Sequence, residues 1–316
     1  MPPIVFPLVA LAAVLHVAWN VLLKSAGDPL RTSGRAAIAG AAVFVPAAAV
    51  AYIAVGSPSI PPEALVLGLL SGLLEAAYFI LLSAAYRRGD LSVVYPIARG
   101  TAPLLAVLLG VVVLGERLGP IAWVGVATLL GGLLAIQRPW RAIGTLRRGH
   151  GLIGDGAVAF AFATGVTIAA YSAVDRVGSR LVAPWLFGAF LFPVAAVALA
   201  AWIRFVDRSG PAGGAAVAGR SGPADGSGSA DRAVGAPWPR SATAGILSIG
   251  AYVLILLAYS VAPLSVVAPL RESAVVLASG WGSLRMREAE GGRDAARRIG
   301  AAILVLLGAV LIALER

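Results

Sequence analysis

The sequence predicts an all-α membrane protein with ten transmembrane helices arranged as two inverted five-helix repeats. Three observations lead to this prediction: an apolar composition, ten apolar segments and an internal repeat. Of the 316 residues, 59% are hydrophobic and only 13% are charged, whereas charged residues make up about a quarter of a typical soluble domain. A chain of this size with so few charges cannot cover itself with a soluble surface.

Charged stretches and Gly/Pro breaks divide the chain into ten apolar segments. Crossing the hydrocarbon core takes about 20 apolar residues in a helix, and continuous apolar runs rather than alternating ones indicate helices. The predicted spans are 4–23, 35–55, 63–86, 91–114, 120–136, 153–174, 183–204, 242–260, 264–284 and 298–314. Residues 205–240 include 24 Gly, Ala, Ser or Pro residues and no hydrophobic period, which predicts a flexible loop.

The two halves of the chain contain the same element. Residues 81–96, "LLSAAYRRGDLSVVYP", align without gaps on 254–269, "LILLAYSVAPLSVVAP", with eight identical positions of sixteen. We therefore predict a first repeat over 1–138 and a second over 139–316. Because five spans is an odd number, the two repeats must cross the membrane in opposite directions.

The basic residues alternate between the two sides of the predicted membrane. Nineteen of the 25 Lys and Arg residues lie in or beside the odd-numbered loops, four lie in the even-numbered loops or at the C-terminus, and two lie inside spans. The positive-inside rule then places the odd loops in the cytoplasm and both termini outside. This distribution accounts for the net charge of +10 without a nucleic-acid partner.

Several classes of chemistry are excluded by composition. The chain has no cysteine and two histidines, so disulfides, thiolate metal sites and histidine-rich metal sites are not expected. No G-x-x-x-x-G-K-[ST] motif occurs, so ATP hydrolysis is not supported. We expect no metal, no cofactor and no catalytic residue.

Three segments resemble the drug/metabolite transporter superfamily, in its EamA-like branch. They are "HVAWNVLLKSAGDP", "AYRRGDLSVVYPIARGTAPLLAVLLGVVVLGERLG" and "APLRESAVVLASGWG". The resemblance implies a ten-helix bundle of two inverted repeats in the cell membrane that moves small metabolites, and several such proteins are exporters. It also implies cytoplasmic termini, opposite to the charge distribution. The second repeat departs from the pattern, since "LRMREAEGG" stands where "LGERL" is expected, and Glu288 receives no role.

Ionisable residues inside spans are the first candidates for function, because a charge at mid-bilayer costs a few kcal/mol. Arg99 lies eight residues into span 4, roughly 12 Å along a helix. In the repeat alignment it falls opposite Glu272, and Arg271 is adjacent. Two interpretations stay open: a buried Arg99–Glu272 ion pair that locks spans 4 and 9 together, or a cavity in which these residues bind a charged substrate group. An arginine suits the second because its guanidinium pairs with carboxylate or phosphate through two hydrogen bonds.

Glu75 is central in span 3 and has no evident partner in its own helix. A lone acid in a dry helix bundle favours the protonated form, so Glu75 is the candidate for proton coupling; a neutral, hydrogen-bonded glutamic acid is the alternative. Pro96 and Pro269 break the helix at matching positions and are candidate hinges.

The polar and aromatic residues of span 1 complete the candidate substrate site. These are His16, Trp19 and Asn20, and His16 is alternatively a hydrogen-bonding residue between helices. Tyr95, four residues before Arg99, is the favoured aromatic contact. Other aromatic residues either line the pocket or anchor the protein at the membrane interface: Tyr78, Tyr171, Tyr252 and Trp281.

Charged residues at predicted span ends are interpreted as helix caps and surface anchors. Glu116 and Arg117 follow span 4, and Asp175 and Arg176 follow the predicted end of span 6 at residue 174. None of the four is expected to contact substrate.

Together these patterns predict a secondary transporter that works by alternating access on a small anionic or zwitterionic solute such as an amino acid. Its expected partners are that solute and membrane lipid, and the architecture is compatible with a monomer. Proton coupling and export are both open. The alternatives are a membrane-embedded lipid-processing enzyme, for which no catalytic cluster is evident, and a non-transporting scaffold or sensor.

Overall fold

Every regular element in the described part of the chain is helical. The computed structural model describes residues 2–24, 28–88, 91–138, 156–208, 236–272 and 292–314. Within these ranges it contains ten α-helices, which confirms the all-helical prediction. They are α1 (Val5–Lys24), α2 (Pro29–Ala54), α3 (Pro62–Arg88), α4 (Leu91–Leu108), α5 (Pro120–Gln137), α6 (Ala157–Leu181), α7 (Pro184–Arg208), α8 (Trp238–Val261), α9 (Leu264–Glu272) and α10 (Gly292–Leu314), with a π-helical turn over Leu109–Val113 that continues α4.

Seven of the described helices are long and apolar enough to cross a membrane: α1, α2, α3, α4, α6, α7 and α8. Helices α5 and α10 contain shorter apolar stretches, Pro120–Ile136 and Ile299–Leu314. The predicted ninth span, 264–284, is described only as far as Glu272. Of the predicted loop 205–240, residues 209–235 lie outside the described residues, and α7 and α8 extend into its two ends.

Several helices extend further than the sequence predicts, and α2 and α6 are two of them. Helix α2 begins at Pro29 rather than at residue 35, because the Asp28 carboxylate accepts hydrogen bonds from the backbone amides of Leu30 and Arg31 at 2.9 and 3.1 Å. Such a cap satisfies amides that the first helical turn leaves free. Helix α6 continues to Leu181, seven residues beyond the predicted end of span 6. Asp175 and Arg176 therefore lie inside a helix and not at a membrane boundary.

The helices pack mainly across the two halves of the chain. We call residues 1–138 the first half and 139–316 the second half. The most extensive contacts each join one helix from each half: α5 with α10, α3 with α6 and α7, α8 with α1 and α2, α4 with α6 and α9, and α2 with α7. The two halves therefore share one interior.

Small residues allow the closest of these contacts. A Cβ atom added to Gly132 of α5 would lie 2.8 Å from the backbone oxygen of Ala301 and 2.8 Å from a methyl carbon of Val305, both in α10. Its neighbour Gly131 has nothing within 4 Å of the same position. Glycine at the first position lets the two backbones approach, as in other membrane helix pairs.

We expect Gly132→Ala to destabilise the protein by about 1–3 kcal/mol, because the added methyl group overpacks the α5–α10 contact. Gly131→Ala is the matched control, and it should be neutral or slightly stabilising because alanine favours the helix. The measurement is the melting temperature of each purified variant in detergent. Equal melting temperatures for the two variants would contradict the close contact between α5 and α10.

Candidate functional site

An ion pair in the interior of the bundle joins the two halves. Arg99 lies on α4 and Glu272 on α9, and the distance between Nη1 of Arg99 and Oε1 of Glu272 is 3.3 Å. Both side chains are buried, at 11% and 5% exposure. Nη2 of Arg99 also donates to the Tyr78 hydroxyl oxygen on α3, at 3.5 Å. The structure thus brings together the two residues that the repeat alignment places opposite each other.

Arg271 is held by aromatic side chains. Its Nη2 donates to the Tyr171 hydroxyl oxygen at 3.0 Å, and its guanidinium carbon lies 5.7 Å from the ring centroids of both Tyr171 and Tyr252. Cations over aromatic faces are stabilised by the ring quadrupole, more strongly where water is excluded. Arg271 therefore keeps its charge in the interior through a phenol oxygen and two rings.

Asp175 is a central part of this cluster, and its assignment as a surface anchor is wrong. The residue is fully buried. Its Oδ1 accepts from the Ser71 hydroxyl at 2.5 Å, and its Oδ2 accepts from the Tyr252 hydroxyl at 2.6 Å. These two hydroxyls satisfy the Asp175 carboxylate, and this allows α6 to place an acid in the buried interior of the bundle.

Glu75 lies beside a cavity. The cavity is lined by Trp19, Ser33, Ala36, Ala37, Glu75, Phe79, Phe192, Ala195, Leu199, Gly245, Ser248, Ile249 and Tyr252. The space open to the centre of a water-sized sphere is about 40 Å³, which exceeds the roughly 10–15 Å³ that one water needs. Oε2 of Glu75 is buried and has no hydrogen-bond partner among the described residues.

The span 1 residues form a local hydrogen-bonded group. The Trp19 indole Nε1 donates to Nδ1 of His16 at 3.1 Å, and the Asn20 side-chain amide donates to the His16 carbonyl at 2.6 Å. Since the indole can only donate, Nδ1 of His16 is unprotonated and the ring proton lies on Nε2. The His16 imidazole is close enough to Arg99 and Arg271 for their positive charges to act on it.

A second polar cluster joins Glu116 to α6 and to the first turn of α9, and we call it the cap cluster. Oε1 of Glu116 accepts from the Leu264 backbone amide at 2.6 Å and from Nε of Arg176 at 3.4 Å. Its Oε2 accepts from the backbone amide and the hydroxyl of Ser265 at 2.9 and 2.7 Å. Arg176 also donates to the Tyr259 carbonyl. Glu116 therefore satisfies the first backbone amides of α9, 148 residues away in the sequence, whereas the sequence predicted a cap or surface anchor at the end of span 4. Arg176 is a member of the same cluster rather than a surface anchor.

The predicted site residues divide into those that line the cavity and those that do not. Trp19 and Glu75 line it. Arg99, Arg271 and Glu272 are not among its described lining residues, and Arg99 and Glu272 pair with each other. Tyr95 lies within electrostatic range of Arg99 and Glu272. Pro96 lies inside α4 and Pro269 inside α9, and Trp281 and Glu288 lie outside the described residues.

Sequence reasoning missed Ser71, Asp175, Ser33, Ser248 and Phe192 as site residues. Three of them are serines, and a serine carries no signal that says which face of the helix is buried. Phe192 is one apolar residue among many in its helix. Asp175 carried a stronger signal, a carboxylate next to an apolar span, but the predicted end of span 6 placed it at the surface.

Comparisons with known proteins support a membrane transporter. Residues 4–138 match the profile of the EamA-like transporter family. A solved crystal structure of a protein matches with a TM-score of 0.65 and 20% identity, covering 99% of this chain and 98% of the other, which shows a shared fold. No curated protein matches the chain. The family match and the apolar helices together support a multi-pass membrane transporter of the drug/metabolite type.

We expect Arg99→Met and Glu272→Met each to lower the melting temperature strongly, because removing one partner of a buried pair costs about 3–5 kcal/mol. The double variant should be less destabilised than the sum of the single variants, since it leaves no unpaired charge. Thermal unfolding of the purified proteins in detergent measures this cycle. Additive effects would mean that the two groups are energetically independent.

We also expect Asp175→Asn to destabilise the protein by about 1–3 kcal/mol. In the variant an amide nitrogen replaces one carboxylate oxygen, and this nitrogen cannot accept the hydrogen bond that the Ser71 or Tyr252 hydroxyl donates in the wild type. The matched control is Asp207→Asn, which removes an exposed ion pair with Arg31 worth at most about 1 kcal/mol. The measurement is again thermal unfolding in detergent. A larger loss in the Asp207 variant would contradict the internal role of Asp175.

Proposed function

We propose that the chain is a secondary transporter that moves a small organic solute by alternating access, and the match of residues 4–138 to the EamA-like transporter family supports this class. The observation that carries the proposal is the buried cluster of charges beside a cavity, at the contact between the two halves. Charged groups inside a membrane protein face the path of a substrate or ion, or pair with each other. Here Arg99 pairs with Glu272, and Glu75 lines a cavity.

We propose that the two halves are inverted repeats. Inverted repeats would make each of the helices α1–α5 equivalent to the helix five places later in the chain. Under this equivalence the α3–α6 contact corresponds to α8–α1 and the α3–α7 contact to α8–α2, and both of these contacts are extensive. The same equivalence leaves α2–α7, α4–α9 and α5–α10 unchanged, and these three are also among the extensive contacts. A pseudo-two-fold relation between the halves accounts for this pattern.

The two ends of the bundle support alternating access because they differ. Along α8, Gly245, Ser248 and Tyr252 line the cavity, whereas Tyr259 belongs to the cap cluster. Gly245 and Tyr259 are separated by roughly 21 Å at 1.5 Å per residue. We propose that the cap cluster is the closed gate in this state and that the cavity faces the opposite side. The distribution of basic residues makes that side the cytoplasm.

The proposed substrate site comprises Arg99, Tyr95, Arg271, Glu272, His16, Trp19 and Asn20, with Pro96 and Pro269 as hinges. Arg271 is the stronger candidate for a carboxylate of the solute, since its hydrogen bond and ring contacts among the described residues are with Tyr171 and Tyr252. Arg99 already contacts a carboxylate, so a solute would have to compete with Glu272. An amino-acid-like solute, possessing both charges, suits this distribution.

We propose Glu75 as the proton-coupling residue. The cluster of described residues around it contains two guanidinium groups, Arg99 and Arg271, and three carboxyl groups, Glu75, Asp175 and Glu272. One proton on a carboxyl group balances the charge. Glu272 and Asp175 are satisfied by their partners, which leaves the proton to Glu75.

Transport tests the proposal directly. Proteoliposomes that contain the full chain should exchange a radiolabelled amino-acid mixture and accumulate it under a proton gradient. Arg271→Ala should abolish both activities, and Glu75→Gln should abolish accumulation driven by the gradient while keeping exchange. No uptake above that of empty liposomes by the wild type would overturn the amino-acid-like substrate. Equal gradient-driven accumulation by Glu75→Gln would overturn proton coupling at this residue.

The gate has a separate test that uses the absence of native cysteine. We expect S248C, inside the cavity, to react with a membrane-impermeant thiol reagent from one side of the membrane only. Adding Glu116→Gln should expose it from the other side, because the substitution removes the charge that holds Arg176 and the α9 amides. The control is Arg117→Gln, since Arg117 is exposed. The proposed gate is wrong if labelling stays one-sided in the Glu116→Gln background.

A further inference from the structure

The described wall of the cavity has one ionisable acid and no basic side chain. Among its described lining residues Glu75 supplies the sole carboxyl group, and none is lysine or arginine. Neither interior arginine is among these lining residues, and Arg99 contacts Glu272 while Arg271 contacts Tyr171. The ionisable side chain that the described wall offers to a solute is therefore an acid.

Glu75 differs from the other interior carboxyl groups in its hydrogen bonding. Glu272 accepts from Arg99, Asp175 accepts from two hydroxyls, and Glu116 accepts from amides, a hydroxyl and a guanidinium. Oε2 of Glu75 is buried and unpartnered within the described structure. A buried carboxyl oxygen without a hydrogen bond raises the free energy of the folded protein. A ligand that donates a hydrogen bond to this atom would remove that penalty.

The rest of the wall is suited to an apolar body with a cationic end. Four aromatic rings line the cavity, and two of them, Phe192 and Tyr252, stand edge to face with centroids 5.4 Å apart. The other two are Trp19 and Phe79. Aromatic faces stabilise both apolar groups and ammonium groups. The hydroxyls of Ser33 and Ser248 add hydrogen-bonding capacity at the same cavity.

We propose that this cavity binds the protonated amino group of a small solute with an aromatic or aliphatic body, and that the Glu75 carboxylate accepts its hydrogen bond. The proton that Glu75 holds in the empty cavity is released to water as the ammonium group arrives, so that one positive charge replaces another. The inference deepens the proposed transport function and rests on it for its biological use. It assigns the cationic end of the solute to Glu75 and leaves any anionic end to the arginines of the proposed substrate site.

Equilibrium binding to the full-length protein in detergent tests this without transport. The probe is radiolabelled 2-phenylethylamine, and the competitors are 2-phenylethanol and 3-phenylpropionate, which keep the ring and replace the ammonium with a neutral or anionic group. We expect both competitors to bind at least about tenfold more weakly than the amine, as the loss of a buried charge-assisted contact predicts. Glu75→Gln should weaken amine binding by a similar factor. Its matched control is Glu63→Gln, an exposed acid in the first turn of the same helix, which should bind like the wild type.

The outcomes separate this inference from the proposed function. No amine binding by the wild type, equal or tighter binding of 3-phenylpropionate, or unchanged affinity in the Glu75 variant would each overturn the amine subsite. The competitor series uses the wild type, so the test holds even if the variant does not fold. Amine binding without solute exchange in proteoliposomes would instead count against transport alone. Exchange of amino acids without amine binding would count against the amine subsite alone.

Discussion

A polar group in the interior of a membrane protein has to find its partner within the protein, because the hydrocarbon core offers no water. In this chain the partners come repeatedly from the other half. Arg99 is satisfied by Glu272, Asp175 by Ser71, and Glu116 by Arg176 and the first amides of α9. The extensive helix contacts follow the same rule. Among the described residues, each half therefore contains charges whose partners come from the other half, whereas Arg271 is held by Tyr171 of its own half.

This constraint also connects the cavity to the deeper charges. Tyr252 has three roles: its ring lines the cavity, its hydroxyl donates to Asp175, and its face lies beside the Arg271 guanidinium. A ligand that moves this ring would disturb the partners of both charged residues. The next residue after Asp175 is Arg176, which belongs to the cap cluster. One helix, α6, thus places adjacent side chains in the interior charge cluster and in the cap cluster.

The sequence was sufficient for what depends on composition and on the repeat. Hydropathy identified the helical class, and the alignment of 81–96 with 254–269 placed Arg99 opposite Glu272, which the structure finds 3.3 Å apart. Hydropathy failed for Asp175, because it registers a carboxylate as the end of a span and cannot detect hydroxyl partners 104 and 77 residues away. The cavity lining was equally hidden, since five helices contribute single faces to it. Only packing decides which faces meet.

The sequence distance between partners has a consequence for how the protein is made. Arg99 and Glu272 are 173 residues apart. At the usual pace of synthesis, about 5–20 residues per second, the first half waits in the membrane for roughly 10–35 s before its ion partner leaves the ribosome. During that interval Arg99 and Glu116 lack the groups that satisfy them in the finished protein. A nascent chain that stalls after the first half would therefore carry Arg99 and Glu116 without these partners, and the contacts between the halves form late in synthesis.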